Sequence, residues 1–164
     1  MEIRAARTHD IKGIRALIDS YAPEGRLLTK ETVTLYESVQ EFTVAVDGDT
    51  VVGCGAIHVL WEDLAEVRTV AVSENFRGKG VGHQILNSII SRASGLGVKR
   101  IFCLTFETDF FGRHGFEIIE GTPVDPSVYA QLLRSYDAGV AEFLDLESAK
   151  PNTLGNTRML KILL

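Results

Sequence analysis

The chain has 164 residues, 45% of them hydrophobic and 24% charged, with a net charge of −5. That is one domain's worth of sequence with apolar material for one core, so a single domain over residues 1–164 is expected. The acidic balance, without any Lys/Arg block, excludes the basic footprint that nucleic-acid binding requires.

The N-terminal MEIRAARTHD has no apolar signal region, and no run approaches the ~18 residues of a membrane span. A soluble, cytoplasmic protein is the expectation, with no membrane partner.

MEIRAAR alternates and reads as a first strand. Thr8 then caps an amphipathic helix, HDIKGIRALIDSYA, with Ile11, Ile14, Leu17 and Ile18 on one stripe. Pro23 and Gly25 break it. KETVTLYESVQ predicts a second helix carrying Val33, Tyr36 and Val39. FTVAVDGDTVVGCGAIHVLW reads as two strands joined at Asp47-Gly48-Asp49, a hairpin signal. LAEVRTVAV is a further strand.

After the loop NFRGKGVGHQ comes a helix with Val81, Ile85, Leu86, Ile89, Ile90 and Ala93 on one face, ended by Gly95 and Gly97. KRIFCLTF is a continuous apolar strand of the kind buried on both faces in parallel pairing. TDFFGRHG is a short helix closed by Gly115, and FEIIEG is a strand. Asp125-Pro126 starts a helix running to about Tyr136, and NTRMLKILL is a terminal strand. The order β α α β β β α β α β α β predicts an α/β fold: a mixed sheet with helices on both faces. Pro151-Asn152 opens a loop rather than a domain boundary.

Cys54 and Cys103 sit inside apolar strands, fit no zinc spacing and read as buried small hydrophobes. His9, His58, His83 and His114 are scattered, so no metal is expected.

The loop at residues 75–84 is the informative stretch. Closely spaced glycines after a strand let backbone N–H groups converge on a ligand, and the following helix adds its N-terminal donors and dipole. Together they make an anion site suited to phosphate. Arg77 and Lys79 raise the local potential. A Walker A loop does not fit, because Gly78-Lys79 is followed by Gly80. A Rossmann fingerprint does not fit either. Gly78, Gly80 and Gly82 alternate, and Lys99 and Arg100 stand about twenty positions on, where an acidic residue would be needed.

The pattern Arg77-x-x-Gly80-x-Gly82, in the context EVRTVAVSENFRGKGVG, resembles motif A of the GCN5-related N-acetyltransferases (GNAT). The resemblance implies the GNAT fold, a mixed and mostly antiparallel sheet with a splayed parallel strand pair, and acetyl-CoA as cosubstrate. It further implies that backbone N–H groups of Gly78, Lys79, Gly80, Val81, Gly82 and His83 bind the pyrophosphate, with charge from Arg77 and Lys79. The main chain of Val70, Ala71 and Val72 would pair with the pantetheine arm, and a backbone N–H near Val72 would hold the oxyanion. Phe110 and Phe111 would pack on the arm or in the core.

A narrower resemblance lies in LLTKETVTLYESVQEFTVA, CGAIHVLWEDLAEVRTVAV, LTFETDFFGRHGFEIIEGTPV and AEFLDLESAKPNTLGNTRML. These stretches are similar to the short, stand-alone N-acetylglutamate synthases of actinobacterial type, which start arginine biosynthesis. The resemblance implies acetyl transfer to the α-amino group of glutamate or glutamine. Leu28, Lys30 and Arg158 occupy its acceptor-binding places, with Arg26 and Arg68 as weaker candidates. A carboxylate acceptor suits such cations.

An α-amino group with a pKa of about 8 must lose a proton before it attacks the thioester. Glu66, on the motif A strand, is the candidate base, and an ordinary ion pair with Arg68 is the bland alternative. Phe111 stands where many relatives carry a tyrosine that protonates the leaving thiolate, so that acid is excluded. Rival readings are acetylation of another amine, such as a protein N-terminus or polyamine, and a non-catalytic acetyl-CoA sensor. The tail completes the acceptor pocket, contributes to a dimer interface, or does both; as an apolar edge strand it leads to the expectation of a homodimer.

Overall fold

The computed structural model describes residues 1–21, 31–144 and 156–163. Its strands are β1 (Glu2–Ala5), β2 (Phe42–Asp47), β3 (Thr50–Trp61), β4 (Leu64–Val72), β5 (Arg100–Thr105), β6 (Glu117–Ile118) and β7 (Thr157–Ile162). The helices are α1 (Ile11–Tyr21), α2 (Thr32–Glu37), α3 (Val81–Leu96), α4 (Thr108–Gly112), α5 (Pro126–Leu132) and α6 (Ala138–Phe143). The strands form one sheet in the order β1-β2-β3-β4-β5-β7-β6.

β1, β2 and β3 pair antiparallel, as do β5, β7 and β6. β4 and β5 run parallel, with Leu64 opposite Arg100, Ala65 opposite Ile101 and Glu66 opposite Phe102. The predicted hairpin forms at Gly48, whose φ of +61° is the left-handed geometry that such a turn demands.

The described residues fall into two compact units, Met1–His58 with Val67–Leu96, and Val59–Glu66 with Gly97–Leu164. Each has its own apolar cluster. In the first, Ile11, Ile14, Leu17 and Ile18 of α1 pack with Leu35, Phe42, Val44, Cys54, Ala56 and Ala71. The stripe expected on α1 is thus buried as its period requires. Alternation along β3 turns Gly53 and Gly55 to the opposite face, against α3. A Cβ on Gly53 would lie 3.1 Å from Val81 Cγ1, and one on Gly55 3.0 Å from Ile85 Cγ2. Helices therefore cover both faces of the sheet in this unit, α1 on one side and α3 on the other. In the second unit Leu60, Leu64 and Phe102 pack with Leu132, Val140, Phe143 and Leu144.

Four expectations need correction. Thr8 does not cap α1. Thr8–Asp10 forms a 3-10 turn, and the Asp10 carboxylate accepts from the Arg7 N–H at 2.7 Å and from Arg4 at 2.7 and 3.0 Å. The second helix stops at Glu37, because Ser38 leaves helical geometry at φ −110°, ψ +18°, and a 3-10 turn over Val39–Glu41 follows. Val33 is 63% exposed and Leu35 takes the buried position.

The helix begun at Pro126 ends at Leu132. A separate α6 follows, its N-terminus capped by the Asp137 carboxylate accepting from Val140 N–H at 3.1 Å. Finally, the terminal strand β7 is not an edge. It lies between β5 and β6, pairing with β5 from Thr157 to Ile162 and with β6 at Met159 and Leu160.

Candidate active site

The glycine loop is built by backbone geometry. Gly78 and Gly80 have φ of +78° and +81°, where an L side chain is strained, and a Cβ at either would meet no neighbour. The glycines are there for conformation, and the space beside them is open. α3 begins at Val81, and the Gln84 N–H donates to the Gly80 carbonyl at 3.1 Å. The N–H groups of Val81, Gly82 and His83 precede that bond and lie at the positive end of a 16-residue helix. Its first turn carries no acidic side chain. Lys79 Nζ lies 5.2 Å above the Phe76 ring, beside the loop. Every element of an anion cradle predicted for residues 77–83 is thus contiguous.

A 3-10 turn at Glu74–Phe76 connects this loop to the end of β4. Arg77 folds back over that turn, with its Nε 3.4 Å from the Val72 carbonyl oxygen and its guanidinium 4.8 Å above the Tyr21 ring. The Tyr21 hydroxyl donates to Val72 C=O at 2.8 Å and accepts from Val72 N–H at 3.0 Å. The amide that the sequence reading reserves for the oxyanion is therefore engaged by a side chain 51 residues away. Nothing in the sequence signals that contact, because only the packing of α1 creates it.

A second feature had no sequence signal. Thr69 has φ +60°, a rare conformation for a β-branched residue, and it is 9% exposed. The Cys54 thiol donates to its carbonyl at 3.4 Å. Thr69 lies within β4, between Glu66 and Val70–Val72. Val70 faces Gly55, while Ala71 joins the α1 core, so both side chains are used in packing and the backbone carries the edge.

Glu66 is buried, at 8% exposure, opposite Phe102 in the parallel ladder. Burial pushes the Cys103 thiol well above the usual cysteine range, and the Glu66 carboxylate adds to the effect. Both cysteines are buried, and Cys103 behaves as an inert thiol rather than a nucleophile. Arg68 is half-buried on β4.

Arg158 has a definite structural task. Its guanidinium donates to the carbonyls of Glu142 at 3.1 Å, Phe143 at 2.6 Å and Gly121 at 2.9 Å, and lies 5.0 Å above the Phe102 ring. Two of these are last-turn carbonyls of α6, which helix geometry leaves outside the ladder. Phe111 is 5% exposed and edge-on to Phe110 and Phe116, at 5.1 and 5.2 Å. It packs in the core of its unit, whereas Phe110 is only half-buried, beside His114. Leu28, Lys30 and Arg26 lie outside the described residues. Among the described residues no group of three His, Cys, Asp or Glu could hold a metal ion, and no helix is long and apolar enough to cross a membrane.

Residues 12–116 match the acetyltransferase (GNAT) family. The chain belongs to that family. An amino-acid acetyltransferase from Mycobacterium tuberculosis is 56% identical over 164 residues, covering 98% of this chain and 94% of that one. A crystal structure of a Mycobacterium tuberculosis protein in complex with CoA matches all of both chains, with TM-score 0.95 and 56% identity. N-acetylglutamate synthase from Neisseria gonorrhoeae, complexed with coenzyme A and N-acetyl-glutamate, shares the fold at TM-score 0.78 and 24% identity, over 35% of its length. The mixed sheet of this GNAT chain, with its parallel β4–β5 pair, is the fold of these neighbours.

Proposed function

We propose that the protein transfers the acetyl group of acetyl-CoA to the α-amino group of L-glutamate or L-glutamine, the first step of arginine biosynthesis. The transferase reading is carried by the glycine loop. Two left-handed glycines open onto the N-terminus of α3, one short 3-10 turn after β4. The amino-acid acceptor is supported by the near full-length similarity to the Mycobacterium tuberculosis amino-acid acetyltransferase. We read residues 1–164 as one catalytic domain, since the family match crosses both compact units.

In this reading the N–H groups of residues 78–83 hold the coenzyme pyrophosphate, with Arg77 and Lys79 supplying charge. Val70–Val72 pair with the pantetheine arm, and Phe110 flanks it. Glu66 takes the amine proton, directly or through a water. Leu28, Lys30, Arg68 and Arg158 are assigned to the acceptor. In that role Arg158 would exchange one of its carbonyl partners for a substrate carboxylate. Phe111 has no proton to give, so the thiolate leaves without a tyrosine acid. We propose a homodimer, joined through the outer strand β6, where Ile118 is 67% exposed. Sedimentation equilibrium showing only monomer would remove that assembly.

The function is tested by release of free coenzyme A from acetyl-CoA with glutamate, glutamine and a panel of other amines. Saturable turnover confined to glutamate or glutamine is the expected result. Turnover on a different amine would overturn the acceptor, and coenzyme binding without turnover on any amine would leave a sensor.

A further inference from the structure

The Tyr21 hydroxyl makes the same two contacts with Val72 that a secondary amide makes with a strand. It donates to the carbonyl at 2.8 Å and accepts from the N–H at 3.0 Å. A carbonyl oxygen has two lone pairs and tolerates two donors, but an N–H has one hydrogen. The Val72 N–H therefore serves either Tyr21 or a second acceptor. An arm of alternating amides that pairs with β4 at this position must take that hydrogen from the phenol. The ring is also held from the other side, because the Arg77 guanidinium stacks on it at 4.8 Å and reaches the same carbonyl with Nε.

We infer that Tyr21 is a stand-in for a coenzyme amide, holding the Val72 edge of β4 and giving it up when the pantetheine arm pairs there. The inference rests on the coenzyme reading of Val70–Val72 given above and adds a residue that lowers coenzyme affinity. Tyr21 is the last residue of α1. The displacement therefore acts on the terminal turn of α1. Arg77 takes part as well, since a guanidinium stacked on a ring that leaves becomes available to the phosphates next to it.

The test is calorimetric titration of coenzyme A and of ADP into the wild-type protein and Tyr21→Phe. ADP carries a diphosphate for the glycine loop but no amide arm, and phenylalanine keeps the ring under Arg77 while removing the hydroxyl. Losing a competing hydrogen bond should tighten coenzyme A about three- to tenfold, the range of one net hydrogen bond. ADP affinity should not move.

Unchanged or weaker coenzyme A binding by Tyr21→Phe overturns the inference, and so does an equal change for ADP, which would place the effect in the loop. If the wild-type protein binds neither ligand, the coenzyme reading itself falls and takes this one with it. A measurement on the wild-type sequence stands independently of the variant. With tyrosine labelled at the ring carbon bearing oxygen, the Tyr21 resonance should shift with coenzyme A and stay in place with ADP. A resonance unmoved by saturating coenzyme A would also overturn the displacement.

Discussion

Glu66 and Asp10 are both buried carboxylates, and their surroundings set them to different tasks. Asp10 accepts from Arg4 and from the Arg7 N–H, and the Arg4 hydrogen bond holds its carboxyl below the usual range against the opposing effect of burial. A depressed folded pKa contributes stability above the unfolded value of about 3.9 and loses it as pH falls through the folded one. Asp10→Asn should therefore cost about 1–3 kcal/mol at pH 7. In urea titrations the gap to wild type should shrink below about pH 4; a gap constant to pH 2 would place the cost in packing rather than charge.

For Glu66→Gln, loss of a general base predicts a fall in kcat of roughly a hundredfold or more, together with loss of the acidic limb of the kcat profile. The Kd for coenzyme A should hold. A variant that keeps its rate would reduce Glu66 to a partner in the core.

At the scale of elements, the loop and α3 act together. Gly80 stands out in the sequence by its spacing, and in the structure by its φ of +81°. Gly80→Ala forces a side chain into the left-handed region at a cost of about 1–2 kcal/mol, and it should weaken coenzyme A and ADP alike. Weakening of coenzyme A alone would shift the requirement from the phosphates to the arm.

Arg158 shows the reverse relation between sequence and role. On the sequence alone Arg158 is an acceptor ligand or an edge decoration, and the fold uses it to hold three carbonyls, two of them at the end of α6. Arg158→Ala should lower stability by about 1–3 kcal/mol. Arg158→Lys should recover only part, because an ammonium cannot span a fork of carbonyls. A raised KM for the amino acid in a lysine variant of near-normal stability would establish the second, acceptor role.

For the whole molecule, a ligand that binds only the folded state raises the melting temperature by mass action. Coenzyme A at a hundred times its Kd adds about 2.7 kcal/mol, which is worth roughly 5–10 °C for a chain of this size. No shift at saturating coenzyme A would contradict the loop assignment. What could be read from the sequence was local or periodic. The stripe of α1, the hairpin at Gly48 and the glycine loop depend on neighbours within a few residues, as do the burial of both cysteines and the strand–helix order up to α4. Motif A is legible for the same reason, since it is one contiguous stretch.

The tertiary structure decided what depends on partners distant in the chain. It placed β7 inside the sheet rather than at its edge, and it brought Tyr21 to Val72 and Arg158 to the end of α6. It also strained Thr69 within β4. A hydrogen bond across 51 residues or a left-handed threonine leaves no periodic trace, because each is selected by the packing of the whole and not by the preference of its own segment.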